Sequence, residues 1–248
     1  MAIALACLAL NPAVASVAAG KDYDGITLLT LPPKPGVEYD VYLVDPIYAL
    51  ERLARALDVI YRESPFSAGK IEALKRSGRV EIIYDPNHPD PNTSMASVQV
   101  AKFLPHYRGI GGYGNKSFLA VISRHGIKWP LRELAAVLVH ELVGHGTQHL
   151  NDRFKSLRNV DLECEAWLYE EKAYQDFRFD KSSREMIKFR QELEGFGFSD
   201  GYCSDFKRHM QKNTPERMRF WNSLNPDVPK LLEAFEDYLR DQRGKGVR

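Results

Sequence analysis

Two histidines and a glutamate lie close together in the segment HELVGH, residues 140–145. Neutral imidazoles bind catalytic Zn²⁺ in hydrolytic enzymes, and a carboxylate beside them can act as a general base. We therefore predict that His140 and His145 are zinc ligands. We expect Glu141 to accept a proton from a water molecule that the metal activates, and to deliver it to the leaving amine. These roles predict a zinc-dependent hydrolase that attacks a peptide bond.

The two histidines are five positions apart, and a regular α-helix would not bring them together. Positions i and i+5 lie about 140° apart around such a helix, whereas positions i and i+4 lie about 40° apart. A single π-type turn would place both rings on one face, and Gly144 would ease the backbone strain. We therefore predict a π-type turn inside a helix that begins near Pro130, because proline suits the first helical position.

A third ligand is expected from the next predicted helix. Glu163 is preferred because Ala166, three residues later, is small enough to let this helix lie close to the metal helix. Glu165 lies about 200° around the helix from Glu163, so only one of the two carboxylates can face the site. The predicted ligands of Zn²⁺ are His140, His145 and Glu163.

Two alternatives stay open at this point. On an undistorted helix His145 and His149 are four residues apart, so they could bind a metal together with Glu141 and leave His140 outside. The chain could also be a catalytically inactive, zincin-like exported binding module whose metal is structural, or that has no metal.

The segment HELVGHG, residues 140–146, resembles the HExxGH zinc motif of dipeptidyl peptidase III, and ECEA, residues 163–166, resembles the E-C-x-A stretch of the same family. The resemblance implies a zincin-type metallopeptidase in which His140, His145 and Glu163 bind zinc and Glu141 is the general base. It is confined to these two segments. Because this chain is far shorter than that family and its two motifs lie closer together, dipeptide release and the family's two-lobed fold are not expected.

The elements that must position these residues divide the chain into two halves. Helical patterns predominate after Pro130. In the N-terminal half, helices are expected from Pro46 to Ser64 and over Ala68–Ser77. Residues 21–38 are rich in proline and glycine, which predicts an extended segment before the first helix. This segregation predicts an α+β, zincin-like fold with a small, mostly antiparallel sheet in the N-terminal half and a helical C-terminal half. The predicted strands are Tyr39–Val44, Val80–Tyr84, Ser97–Leu104 and Ser117–Ser123.

The charge balance argues against nucleic acid as a partner. The chain has 34 basic and 33 acidic side chains, a formal net charge of +1, which excludes a protein held mainly by phosphate charges. The stretch GIGGYG, residues 109–114, matches the dinucleotide-binding pattern, but a predicted strand follows it where that pattern requires a helix. The expected partner is therefore a peptide or protein substrate.

The N-terminal segment predicts export. Residues 1–19 are apolar and contain no charged side chain, which is typical of a signal peptide, and they are too short for a membrane span. We expect a single domain over residues 20–248 that is periplasmic or secreted, with a weak lipoprotein alternative at Cys7. In an oxidising compartment Cys164 and Cys203 could form a disulfide, although two buried thiols are an equal alternative.

Overall fold

The computed structural model describes residues 17–90, 100–111, 116–195, 200–221 and 225–244. The predicted signal peptide lies almost entirely outside these ranges, and so does Cys7. The second half of the glycine-rich stretch, residues 112–114, and residues 97–99 of a predicted strand also lie outside them.

Within the described ranges, five strands form one mixed sheet and two very short strands form a separate hairpin. The spatial order of the sheet is β1, β2, β3, β7, β4, and β5 pairs with β6. The strands are β1 (Ala19–Tyr23), β2 (Ile26–Thr30), β3 (Gly78–Asp85), β4 (Ala101–Leu104), β5 (His106–Tyr107), β6 (Ile110–Gly111) and β7 (Lys116–Ser123).

The prediction of a mostly antiparallel sheet is wrong. Strands β2, β3 and β7 are parallel, and the two edge strands β1 and β4 run antiparallel to their neighbours. Parallel neighbours require a long crossover connection. Two helices, α1 (Pro46–Glu63) and α2 (Pro65–Ser77), supply it between β2 and β3 and return the chain in the same direction.

The predicted extended segment contains a hairpin instead. Strands β1 and β2 pair across Asp24 and Gly25, which have φ angles of 48° and 78°. Positive φ at both central residues is the requirement of a type I′ turn, and Asp-Gly is its preferred sequence. The predicted strand Tyr39–Val44 is also wrong, because this segment is irregular up to the start of α1.

The first two helices begin at residues that cap them. The Asp45 carboxylate accepts hydrogen bonds from the backbone N–H groups of Ile47 and Tyr48, and the Ser64 hydroxyl accepts one from Ser67. A proline stands at the start of both helices, where its missing N–H costs nothing. The apolar side of helix α1 packs on the sheet, where residues such as Ile82 belong to the same hydrophobic core.

Helices dominate the C-terminal half, as predicted, and the fold class is α+β. A π-helical segment, Val139–His145, joins α3 to α4 without a break. In the described residues no helix has both the length and the apolar character needed to cross a bilayer. The α-helices of this half are α3 (Leu131–Leu138), α4 (Gly146–Leu150), α5 (Asn159–Asp176), α6 (Arg184–Glu194), α7 (Ser204–Asn213) and α8 (Val228–Gly244).

A disulfide joins Cys164 in α5 to Cys203, the residue before α7, so the structure contains the first of the two alternatives left open by the sequence. The two Cα atoms are 4.8 Å apart, and both residues are fully buried. The bond closes a loop with a sequence separation of 39 residues, which includes α6. It therefore fixes α7 and the segment before it to the helix that carries Glu163.

Replacing both cysteines with alanine should lower the free energy of unfolding by about 2–4 kcal/mol, because the unfolded chain regains the entropy of the closed loop. Urea denaturation followed by circular dichroism measures this difference. Reductant should destabilise the wild-type protein by a similar amount and leave the double variant unchanged. Equal urea midpoints for the oxidised protein and the variant would show that the bond contributes nothing.

Candidate metal centre

The π-helical segment brings the two predicted histidine ligands onto one face. It includes both His140 and His145, and the centroids of their rings are 5.0 Å apart with an angle of 77° between the ring planes. On a regular α-helix these side chains would diverge. The predicted π-type turn is therefore confirmed, and it performs the geometric function expected of it.

Helix α5 adds the predicted carboxylate to the two imidazoles. One oxygen of Glu163 lies 3.5 Å from Nε2 of His140, and the other lies 3.7 Å from Nε2 of His145. One potential ligand atom from each residue can be chosen so that all three lie within 4.8 Å of one another. The structure thus brings together the three residues that the sequence selected, in a group that could hold a metal ion.

The approach of α5 depends on two small residues that face each other. A Cβ atom added to Gly144 would lie 2.7 Å from both the Cα and the Cβ of Ala166, which is closer than non-bonded carbon atoms approach. No side chain therefore fits at position 144 while α5 keeps its place. Ala166 follows Glu163 by almost one helical turn, so this contact sets how far the carboxylate reaches toward the histidines.

Both imidazoles have an acceptor on the nitrogen that faces away from the group. Nδ1 of His140 lies 2.9 Å from a carboxylate oxygen of Glu170, and Nδ1 of His145 lies 2.9 Å from Oε1 of Gln148. The amide nitrogen of Gln148 donates to the carbonyl of Leu162, which fixes the orientation of that amide. These partners fix the orientation of each ring through Nδ1 and turn each Nε2 toward the centre, as in metal-binding histidines.

Charge within the group favours a cation at its centre. Burial opposes protonation of His140, but the carboxylates of Glu163 and Glu170 outweigh it and raise the pKa of His140 well above its usual value. For His145, burial and the positive charge of His140 lower the pKa to about 4. Burial would raise the pKa of Glu163, yet both histidines together lower it, so this carboxylate is ionised at neutral pH.

Glu141 occupies the same cleft without joining the three-residue group. It is buried, with an exposed fraction of 7%, and the backbone N–H of Phe103 in β4 donates to its carboxylate. Burial raises the pKa of Glu141 to about 7, and the negative charges of Glu163 and Glu170 contribute to the shift. A carboxylate with a pKa near neutrality can both accept and release a proton at physiological pH.

The cleft around the group is a cavity of about 680 Å³. One of its walls is an aromatic stack in which the rings of Trp167 and Tyr202 are 5.1 Å apart. Tyr202 remains 41% exposed and immediately precedes Cys203, so the disulfide anchors it beside α5. The side chain of Tyr202 therefore lines the cleft that contains the predicted ligands.

Two other candidate ligands lie elsewhere. The carboxylate of Glu165 is buried and forms an ion pair of 2.5 Å with Arg153. The ring of His149 packs among aromatic rings, with centroid distances of 5.6 Å to Phe118 and 5.8 Å to Phe103. In the described part of the chain, the cluster with metal-binding geometry contains neither residue. The geometry therefore favours His140 over His149 as the partner of His145.

The sequence analysis did not predict the two residues that orient the ligands, nor the tyrosine in the wall of the cleft. The spacing of the first two along their helices could have identified them. Glu170 follows Glu163 by seven residues and so lies on the same face of α5 two turns later. Gln148 follows His145 by three residues, which is the spacing of neighbours on a helix. Tyr202 is distant in sequence, and its only signal is its position beside Cys203 in a predicted disulfide.

Substitution of Gly144 by alanine should disrupt both the packing and the group of ligands. The added methyl group must displace α5, so we expect a loss of about 1–3 kcal/mol in the free energy of unfolding and a weaker affinity for zinc. Chemical denaturation and competition with a zinc chelator measure the two effects. Gly69→Ala in α2 is the matched control, because an added Cβ meets nothing within 4 Å there.

The control should be neutral or stabilising by up to about 1 kcal/mol, since alanine is the better helix former. A Gly144→Ala protein with wild-type stability and zinc affinity would show that the close approach of α5 does not matter.

In comparisons with known proteins, no family model, no curated protein and no solved structure matches the chain.

Proposed function

We propose that this chain is a zinc-dependent peptidase with a zincin-like ligand arrangement. The observation that carries the proposal is the convergence of His140, His145 and Glu163 in a cleft that also contains Glu141. Two nitrogen ligands and one oxygen ligand match the three protein ligands of a catalytic zinc site. The Nδ1 partners of both histidines support the same assignment, because they direct each Nε2 toward the cleft.

The fit between these residues and zinc defines the roles that we propose for the chain. His140, His145 and Glu163 would hold the ion. Bound zinc supplies Lewis acidity, which activates water and polarises a carbonyl group. Glu141, held by the backbone of β4, takes the proton of the attacking water and returns it to the amine that leaves. The expected substrate is a peptide or protein, and the expected location is periplasmic or secreted, which agrees with a disulfide.

Zinc content and activity together separate the ligands from the general base. The purified protein should contain about one zinc ion per chain, and His140→Ala, His145→Ala and Glu163→Ala should each lose it. Glu141→Gln should keep the zinc and reduce peptide hydrolysis by a factor of about 100 or more, because the proton acceptor is lost. Elemental analysis and cleavage of a peptide library measure these outcomes. His106→Ala is the matched control, since this exposed histidine lies in β5 away from the cleft.

Three results would contradict the proposal in different ways. If His140→Ala retains full zinc and His149→Ala loses it, the ligand set is wrong. If the zinc-loaded protein cleaves no peptide and Glu141→Gln changes nothing, the inactive binding module is the correct function. A folded protein that binds no zinc would exclude the peptidase and leave the binding module without a metal.

Tyr202 is the residue we propose as hydrogen-bond donor to the oxyanion of the transition state. It lies in the same cleft as Glu141 and Glu163. Tyr202→Phe should lower kcat by a factor of about 100, because one donor to the developing charge is lost, while zinc content and stability stay unchanged. Steady-state kinetics measure this effect, and Tyr42→Phe, at a tyrosine that is 94% exposed, is the control. An unchanged kcat in Tyr202→Phe would remove this role.

A further inference from the structure

A second cavity opens from the metal cleft. Its volume is about 510 Å³, within the range of small-molecule binding pockets. It lies between α3, the π-helical segment, α5 and α6. It shares His140, Glu141 and Trp167 with the metal cleft. A peptide whose backbone lies at the metal centre could therefore extend one side chain into this cavity.

The walls of the cavity are largely apolar and include several aromatic rings. Trp129 and Phe179 line it, and Phe189 stacks on Trp167 with 4.7 Å between their ring centroids. Surfaces of this kind bind the aliphatic stem of a long side chain, and aromatic faces also attract a guanidinium or ammonium group. The walls alone would accept any large apolar side chain, so the charges around them decide the specificity.

Those charges are strongly negative. One lysine lines the cavity, Lys188, and it pairs with Glu192 at 3.6 Å. The carboxylate of Glu170 is occupied by His140. Glu141 accepts a hydrogen bond from the backbone of Phe103, which leaves Glu133 on α3 and Glu185 on α6.

Glu133 and Glu185 form no ion pair within the part of the chain that the structure describes. They approach the cavity from different helices and repel each other. Burial raises the pKa of Glu133, and the negative charge of Glu185 raises it further. Two carboxylates with no cation between them are unfavourable, and a positive group of a ligand would remove this repulsion.

We propose that this cavity is a specificity pocket for a long side chain with a cationic end, that of arginine or lysine in the substrate. The proposal rests on the peptidase function proposed above. The aromatic walls take the stem of the side chain, while Glu133 and Glu185 bind its charged group. A free N-terminal amine offers the same charge without the stem, so the long apolar wall favours a side chain.

Binding to a protein that cannot complete hydrolysis tests the pocket apart from catalysis. The probes are N-acetyl-arginine amide and N-acetyl-citrulline amide, which have nearly the same shape and differ in charge. We expect zinc-loaded Glu141→Gln to bind the arginine probe about tenfold more tightly, as for charge-assisted hydrogen bonds. The preference should disappear when Glu133→Gln and Glu185→Gln are added. Titration followed by nuclear magnetic resonance gives the affinities.

The matched control adds Glu38→Gln and Glu51→Gln, which change the net charge equally at exposed sites away from the cavity. It should retain the preference for arginine. Equal binding of the two probes, no binding of either, or a preference that survives loss of Glu133 and Glu185 would each overturn the pocket.

Cleavage of a peptide library by the zinc-loaded wild-type protein supplies a second readout. We expect arginine or lysine at one fixed position relative to the cleaved bond, in peptides with acetylated and with free N-termini alike. Cleavage restricted to free N-termini would assign the charge to the terminal amine and overturn the side-chain proposal. If no peptide is cleaved but the arginine probe binds as expected, the peptidase function fails and the pocket stands.

Discussion

The structure of the site depends on how closely one helix can approach the backbone of another. Helix α5 contacts the π-helical segment at Gly144 and Ala166, where the space at position 144 accommodates the hydrogen atom of glycine but no larger side chain. Everything that α5 contributes depends on this distance. Glu163 precedes the contact and Glu170 follows it, so one helix supplies both a candidate ligand and the acceptor that orients His140.

The rest of α5 is anchored by charges that lie away from the cleft. Glu165 pairs with the buried guanidinium of Arg153, which also contacts Glu236 of α8. Asp161, near the start of the helix, accepts a hydrogen bond of 2.8 Å from the hydroxyl of Tyr238 in α8. Removing one partner of a buried pair leaves an uncompensated charge, so these contacts strongly disfavour rotation of α5 about its axis. The helix that carries Glu163 is therefore held in orientation as well as in distance.

Short sequence patterns predicted the three candidate ligands, because the spacings that bring these residues together lie within short segments of the chain. The five-residue spacing of His140 and His145 demanded a π-type turn, and the small residue after Glu163 indicated the partner helix. The segregation of strands and helices followed from periodicity in the same way. The hairpin at Asp24 and Gly25 was also readable from its turn sequence, but the surrounding prolines and glycines favoured an irregular segment instead.

Other features could not be predicted, because they depend on contacts between distant segments. Periodicity does not distinguish a parallel strand from an antiparallel one, so the mixed sheet was missed. Tyr202 reaches the cleft through the disulfide, and the fold brings Glu133 of α3 and Glu185 of α6 to the same cavity. Neither approach follows from a spacing along the chain.

The position of the disulfide has a thermodynamic consequence. Cys164 follows Glu163 directly, and Cys203 follows Tyr202, so the covalent bond connects the helix of a candidate ligand to the aromatic wall of its cleft. Two equilibria that share a structure are linked reciprocally. To whatever extent oxidation of the thiols strengthens metal binding, the bound metal makes the sulfur–sulfur bond harder to reduce, by the same free energy. The metal content of the protein and the redox state of its two cysteines are then thermodynamically coupled.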